Sequence, residues 1–299
     1  MKTAKILVIG SINMDLVTEV PHMPLPGETI HSSGFHMIPG GKGMNQAVAA
    51  RRMDAHVTFI GRVGGDIYGQ ALMQQFDGEQ IDRSHVTVDK GASSGLAFIN
   101  VDSSGENSIV LHSGANGRVN KSDIDHHKGI LQEADLVVLQ LEIPKPVVEY
   151  TVKLCKRLGV PVLLNPAPAI TLTAEVFTGL DYIVLNEIEG EQMTGVPASS
   201  PKKILSELHQ MGVKNAILTL GADGVYFSEG GNMSKLPSRK VEVVDTTAAG
   251  DTFVGTFAVF ISEGFSFSEA VQKGIDAASK TVGKLGAQSS IPKRDEIFF

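Results

Sequence analysis

The sequence predicts an α/β fold, a mostly parallel central sheet flanked by helices with a small β appendage, and three observations carry that prediction. Short β-branched apolar runs recur at Lys5–Gly10, Val57–Ile60, Leu136–Leu139, Val162–Leu164, Tyr182–Leu185 and Ala216–Leu220. Such runs suit strands buried on both faces of a parallel sheet. Between the later runs lie helical patterns, Pro146–Leu158 with Val147, Val148, Val152 and Leu154, and Pro201–Met211 with Ile204, Leu205 and Leu208. Strand alternating with helix argues for crossovers covering the sheet. Finally, Ser94–Leu111 reads as two strands around a DSSGEN turn and Thr29–Ile38 as a strand of alternating polarity. Neither has a crossover helix, so both belong to the appendage.

At 299 residues, one large α/β domain with an appendage is as plausible as two domains, and 42% hydrophobic residues supply a sizeable core. A net charge of −7 without a long basic run argues against a nucleic-acid partner. The single cysteine, Cys155, excludes an internal disulfide and a cysteine-based zinc site, and it reads as a packed thiol in a reducing compartment. The apolar run after Lys5 is too short for a signal segment, and no stretch approaches the roughly 20 apolar residues of a membrane span. A cytoplasmic protein is expected.

Ligands of open α/β sheets bind beyond the carboxyl ends of the strands. The polar residues just past these strands are Asn13, Asp15, Glu142, Asn165, Asn186, Thr219 and Asp251. Val243–Thr256, VVDTTAAGDTFVGT, is a strand-to-helix corner with a turn of small residues. Unpaired N–H groups and the helix dipole favour an anion there, and Ala248, Ala249 and Gly250 let a phosphate come close. Asp251, on the same first turn, is placed to take a proton from a substrate hydroxyl. Helix capping by Asp245, Thr246 or Thr247 explains part of the same pattern.

Other stretches are individually ambiguous. Asn13 and Asp15 point to one side of an extended chain, as an amide and a carboxylate facing sugar hydroxyls would, or as a turn cap would. Pro39–Asn45, PGGKGMN, precedes a helical run at Gln46–Met53 and offers Lys42 and Asn45; it lacks the spacing of a Walker A loop. Asn186–Glu189, NEIE, opens a helix with carboxylates that either cap it or hold Mg²⁺ through water. Thr219–Gly224, TLGADG, leaves room for a nucleotide or makes a plain turn. His126 and His127 read as part of a solvated polar helix.

Together these stretches resemble the ribokinase family of sugar kinases over nearly the whole chain. The matches are GSINMD (Gly10–Asp15), GGKGMNQAVAA (Gly40–Ala50), VGGDIYG (Val63–Gly69), GAN (Gly114–Asn116), LNPAPA (Leu164–Ala169), NEIE, TLGADG, DTTAAGDT and GAQSSIP (Gly286–Pro292). The resemblance implies a single ribokinase-like kinase domain over residues 1–299, with lid segments at about 14–40 and 92–113. It implies Asp251 as catalytic base, with Ala248, Ala249 and Gly250 as anion hole. Asn13, Asp15, Gly41, Lys42, Asn45 and Glu142 would hold the sugar. Asn186, Thr219, Gly221, Gly224 and Gly250 would line the ATP site, with Glu189 acting on Mg²⁺ through water. A monovalent cation, K⁺ in most relatives, would lie near Asp245, Thr247, Thr281, Lys284, Gly286 and Ser290. The expected reaction is transfer of the ATP γ-phosphoryl group to the primary hydroxyl of a pentose, D-ribose first, by a homodimer paired through the lid.

Three departures from the family pattern stand out. Met44 replaces a usual Ala beside the sugar loop, Thr256 a small residue, and Ile275 a polar residue near the adenine. The alternatives are a kinase of deoxyribose, fructose or a nucleoside, the last weakened by the absence of Trp and only 6% aromatic residues, and a non-catalytic sensor on the same fold. A nicotinamide dehydrogenase is discounted because no G-x-G-x-x-G follows the first strand.

Overall fold

A computed structural model describes residues 2–297. In chain order the strands are Lys5–Ile9 (β1), Asn13–Val20 (β2), Gly34–Gly40 (β3), His56–Gly64 (β4), Asp82–Asp89 (β5), Gly95–Asp102 (β6), Asn107–His112 (β7), Leu136–Leu139 (β8), Val162–Leu164 (β9), Tyr182–Asn186 (β10), Asn215–Thr219 (β11), Val225–Glu229 (β12) and Asn232–Leu236 (β13). The helices are Lys42–Arg52 (α1), Ile67–Gly78 (α2), Lys121–Asp125 (α3), Lys128–Glu133 (α4), Lys145–Leu158 (α5), Ala174–Phe177 (α6), Glu187–Thr194 (α7), Pro201–Gln210 (α8), Ala249–Ser262 (α9) and Phe267–Thr281 (α10).

The main sheet runs β13-β12-β11-β10-β9-β8-β1-β4-β5, parallel from β11 to β5 and closed at one edge by the antiparallel pairs β11/β12 and β12/β13. From β1 the chain first builds outward through β4 and β5, then returns to place β8 on the other side of β1. The crevice past the carboxyl ends of β1 and β8 is therefore the topological switch point, where such sheets bind ligands. A second sheet, β3-β2-β6-β7, forms the appendage.

Alternation along β1 sorts the core into two layers. Ile6 and Val8 pack with Met44, Leu72, Phe76, Phe253 and Phe257 from α1, α2 and α9 on one face. Leu7 and Ile9 pack with Val148, Val152, Leu205 and Leu208 from α5 and α8 on the other. Met44 and Ile275 are both buried in the first layer, so Met44 fills core rather than the rim of a sugar pocket.

Some boundaries differ from the sequence expectation. The strand expected at Thr29–Ile38 starts at Gly34, after a segment containing Pro24, Pro26 and Gly27, and α1 starts at Lys42 rather than Gln46. Strands β5 (DRSHVTVD) and β13 (NMSKL) carry no apolar run because each is a sheet edge, where charged residues discourage pairing with another chain.

Helices α1 and α9 touch through Gly255. A Cβ at that position would lie 2.5 Å from the Gln46 carbonyl, 2.6 Å from Ala49 Cβ and 2.9 Å from Ala50 N. Gly255→Ala is expected to push the helices apart and cost about 1–3 kcal/mol. Chemical denaturation checks this; an unchanged midpoint would contradict so close a crossing.

Candidate active site

At the switch point the chain leaves β1, runs through Ser11 and enters β2 at Asn13. Ser11 Oγ donates to Glu142 Oε2 (2.6 Å), and the same oxygen accepts from Lys42 N (3.1 Å) at the start of α1. One carboxylate oxygen thus fixes the turn after β1 and satisfies an otherwise unpaired helix N–H. Gly41 precedes that helix at φ +89°, and a Cβ there would sit 2.8 Å from Asn13 N. Asn13 Oδ1 accepts from Asn116 Nδ2 (2.7 Å), while Asn116 also bonds both polar groups of the Ile12 backbone. A cavity of about 230 Å³ opens beside these groups, lined by Asn13, Asn116 and Glu142 together with Leu111, His112 and Pro168.

Opposite stands the first turn of α9. Ala248 precedes it in the left-handed conformation (φ 60°, ψ 7°), sparsely populated for a residue with a Cβ and a mark of local constraint. Asp251 is only 8% exposed. Its Oδ2 accepts from Asn45 Nδ2 (3.1 Å) and its Oδ1 from Gln46 Nε2 (2.9 Å). The side chain therefore faces α1, as a residue shared with the crevice must.

The anion-hole expectation is corrected in one respect. Ala249 N donates to Thr246 O (3.3 Å), whereas among the described residues the N–H groups of Gly250 and Asp251 have no partner. Among the described residues Ala248 N is likewise without a partner, so the free amides of the turn belong to Ala248, Gly250 and Asp251, and space around Gly250 is open.

The charges converge as well. Burial pushes the Asp15 carboxyl up to about 7, with Glu142 and Asp251 adding to the rise. Burial likewise raises Glu189, more than its hydrogen bond from Asn186 N and the nearby Lys42 offset. For Lys42 burial works against the ammonium, yet the charges of Asp251, Glu142 and Glu189 outweigh it and raise its pKa. The half-buried Lys42 ammonium thus lies in the field of three carboxylates without a direct ion pair to any of them.

On the nucleotide side, Asn186 and Thr219 end adjacent strands in register. Asn186 Oδ1 accepts from Glu189 N (2.8 Å) and Glu189 Oε2 from Asn186 N (2.9 Å), so the capping reading of NEIE holds whatever else Glu189 does. Gly221 has open space around its Cα, but a Cβ at Gly224 would lie 2.2 Å from the Leu236 carbonyl; packing against β13 already explains that glycine.

Of the expected cation residues, three come together. Asp245 accepts from Thr247 N (2.9 Å) and Thr247 Oγ1 (2.6 Å), and from Gly286 N (2.9 Å). Burial raises this carboxyl, but those donors outweigh it and its pKa is lowered. The side chains of the other three turn elsewhere: Thr281 Oγ1 to Thr252 Oγ1 (3.0 Å), Lys284 Nζ to Glu296 (3.0 Å) and Ser290 Oγ to Ala287 O (2.7 Å). Thr281 and Ser290 donate in these bonds and keep hydroxyl lone pairs, whereas Lys284 has only its main-chain oxygen for a cation. Among the described residues no group of three or more His, Cys, Asp or Glu is placed to hold a metal, His126 and His127 included. Cys155 is buried and its thiol pushed up to about 12, an inert packed group. No helix of the described residues is long and apolar enough to cross a membrane.

Sequence reasoning passed over Gln46, Gln140, Asn116 and Gln288 as site residues. The signal was present for Gln46, Asn116 and Gln288, which lie inside quoted motifs, but uncharged amides carry no pattern of their own.

A helix-borne carboxylate beside free main-chain amides, across a switch-point crevice from hydroxyl-binding groups, defines a phosphotransferase for a polyol. The profile of the pfkB family carbohydrate kinase matches residues 3–294. The chain belongs to that family and is an ATP-dependent sugar kinase. It is 42% identical to the ribokinase of Haemophilus influenzae over 97% of this chain and 95% of that one. Identity to the deoxyribokinase of Salmonella typhimurium is 35%, over 97% and 96% of the two chains. The solved structure of Arabidopsis thaliana ribokinase complexed with ribose and ATP superposes with a TM-score of 0.90 at 31% identity, covering 99% of this chain and 98% of the other.

Proposed function

We propose that the enzyme transfers the γ-phosphoryl group of Mg²⁺-ATP to the primary hydroxyl of D-ribose, giving ribose 5-phosphate. The observation that carries this is the first turn of α9, where the Asp251 carboxylate and the free Gly250 and Asp251 amides share one location. Asp251 takes the hydroxyl proton; the amides and the α9 dipole stabilise charge on the transferring group. Asn13, Asp15, Gly41, Lys42, Asn45 and Glu142 hold the sugar, while Asn186, Thr219 and Gly221 border the nucleotide. Assays with a panel of sugars test the reading: ribose should give the highest kcat/KM, and no ADP with any sugar would overturn it. Deoxyribose is the second reading, favoured by the deoxyribokinase relative.

The donor set fits the expected ions. Glu189, its carboxyl raised by burial with the charges of Asp251 and Glu187 adding to the rise, would hold Mg²⁺ through water, and a dication would offset that charge. Bound there, Mg²⁺ would offset charge on the phosphates. Asp245, Thr247 and Gly286 bring only oxygen ligands to their loop, suited to K⁺; equal activity in K⁺ and Na⁺ would count against that site.

The β3-β2-β6-β7 sheet, in two segments near 14–40 and 92–113, serves as the lid over the sugar. Its outer row places Phe35, Met37, Phe98 and Val110 in solvent at 56%, 59%, 46% and 66% exposure. Covering that row by the same row of a second copy makes the homodimer, to be checked by sedimentation; a monomer at micromolar concentration would refute it.

Asp15 gives a pH prediction. A carboxyl raised to about 7 contributes its stability fully below 3.8 and loses it as pH rises through 7. Sugar hydroxyls donating to Asp15 favour its ionised form, so sugar binding should release protons near neutral pH. Affinity should then weaken below pH 7 by up to about tenfold per unit. Calorimetry in two buffers of different ionisation enthalpy reads the proton release; identical heats would dismiss it.

A further inference from the structure

We propose that Gln46, which is fully buried and cannot itself touch a substrate, is a positioning residue that sets the angle of the Asp251 carboxylate for phosphoryl transfer. This rests on the reading of Asp251 as the group that takes the hydroxyl proton.

The Gln46 amide is completely committed. Nε2 donates to Asp251 Oδ1 (2.9 Å) and to Asn165 Oδ1 (3.0 Å), using both of its hydrogens. Oε1 accepts from Gln140 Nε2 (2.7 Å). Rotating the amide by half a turn would set its oxygen against two acceptors and its nitrogen against a donor, so only one orientation is allowed. Asn165 is itself fixed, because its Nδ2 donates to the Val184 carbonyl of β10 (2.9 Å). The line from Asp251 through Gln46 and Asn165 therefore ends on the backbone of the central sheet rather than on a mobile surface group.

Asp251 needs such a line. Asn45 holds the other carboxylate oxygen and is held in turn by Gln288 Nε2 (3.2 Å), but Asn45 also borders the sugar loop. Gln46 is fully buried and away from the sugar loop, so its hold on Asp251 does not depend on a sugar contact. With one lone pair of each oxygen taken from the α1 side, each oxygen keeps another to accept a substrate proton. Misplacing a reacting group by about 1 Å costs on the order of 10²-fold in rate, so the loss of one side of this clamp should appear in turnover rather than in binding.

Gln46→Met keeps the length and loses the donors. The expected result is a fall in kcat of about 10- to 100-fold, with KM for sugar and for ATP within about threefold of the parent. Gln140→Met, which leaves Gln46 free to rotate, should lower kcat less and with the same split; it also serves if Gln46→Met does not fold. The discriminating measurement is the double variant with Asp251→Asn. A residue acting through the carboxylate adds no further loss on that background, since coupled sites are not additive. Additive losses, or a kcat in both Gln variants equal to the parent, would overturn the proposal. Near-normal turnover of Asp251→Asn alone would instead overturn the reading of Asp251, a distinct outcome.

Discussion

Replacing Asp251 by Asn should lower kcat by about 10² to 10⁴-fold, the usual contribution of a positioned proton acceptor, and leave the dissociation constant for sugar within a few-fold. The amide occupies nearly the same volume on the first turn of α9 and leaves the free Gly250 N–H in place, so the proton loses its destination while the binding surface keeps its shape; its NH2 must face the Asn45 or the Gln46 donor, which costs some stability. Asp251→Ala should lose as much turnover and some stability too. It would strip the partners from the Asn45 and Gln46 amides, and an unsatisfied buried donor costs about 1–3 kcal/mol. Steady-state kinetics with an independent sugar-binding measurement separates the two effects; a variant at position 251 with near-parental kcat would remove the base from the mechanism.

Lys42→Met should cost about 10² to 10³-fold in kcat, the loss typical when one charge-stabilising donor is removed, and should raise KM for ATP as well. The lysine opens α1 and is the cation toward which Asp251, Glu142 and Glu189 all bear. Without it, three carboxylates face an incoming polyphosphate with no local counter-charge. Lys42→Arg should recover only part of the loss, because a planar guanidinium fork presents its charge in a different geometry from a compact ammonium. A Lys42→Met enzyme within threefold of the parent in kcat would show that the metal ion alone neutralises the phosphates.

Much of this was legible in the residues. Leu136–Leu139 and Val162–Leu164 coincide with β8 and β9, since a strand covered on both faces must be apolar throughout and has little freedom of register. The helix start at Ala249–Asp251 was legible from small residues followed by an acid before an apolar run; the strand expected just before it is absent, since Val243 and Val244 lie exposed at 61% and 56% outside any strand and β13 ends at Leu236. The edge strands β5 and β13 were not, since solubility requires them to look like loops. The amide clamp was hidden for another reason. Its hydrogen-bonded side-chain pairs lie 94 to 243 positions apart along the chain, and nothing in the local pattern of a glutamine reveals which distant oxygen will take its hydrogens.

Asn13, Gly40 and Gly95 stand side by side where the appendage joins the body of the molecule, as the first, last and first residues of β2, β3 and β6. If the appendage is the lid proposed above, its joint and the floor of the proposed sugar crevice are one piece of backbone. A change that loosens this joint should then alter grip on the sugar in the same stroke.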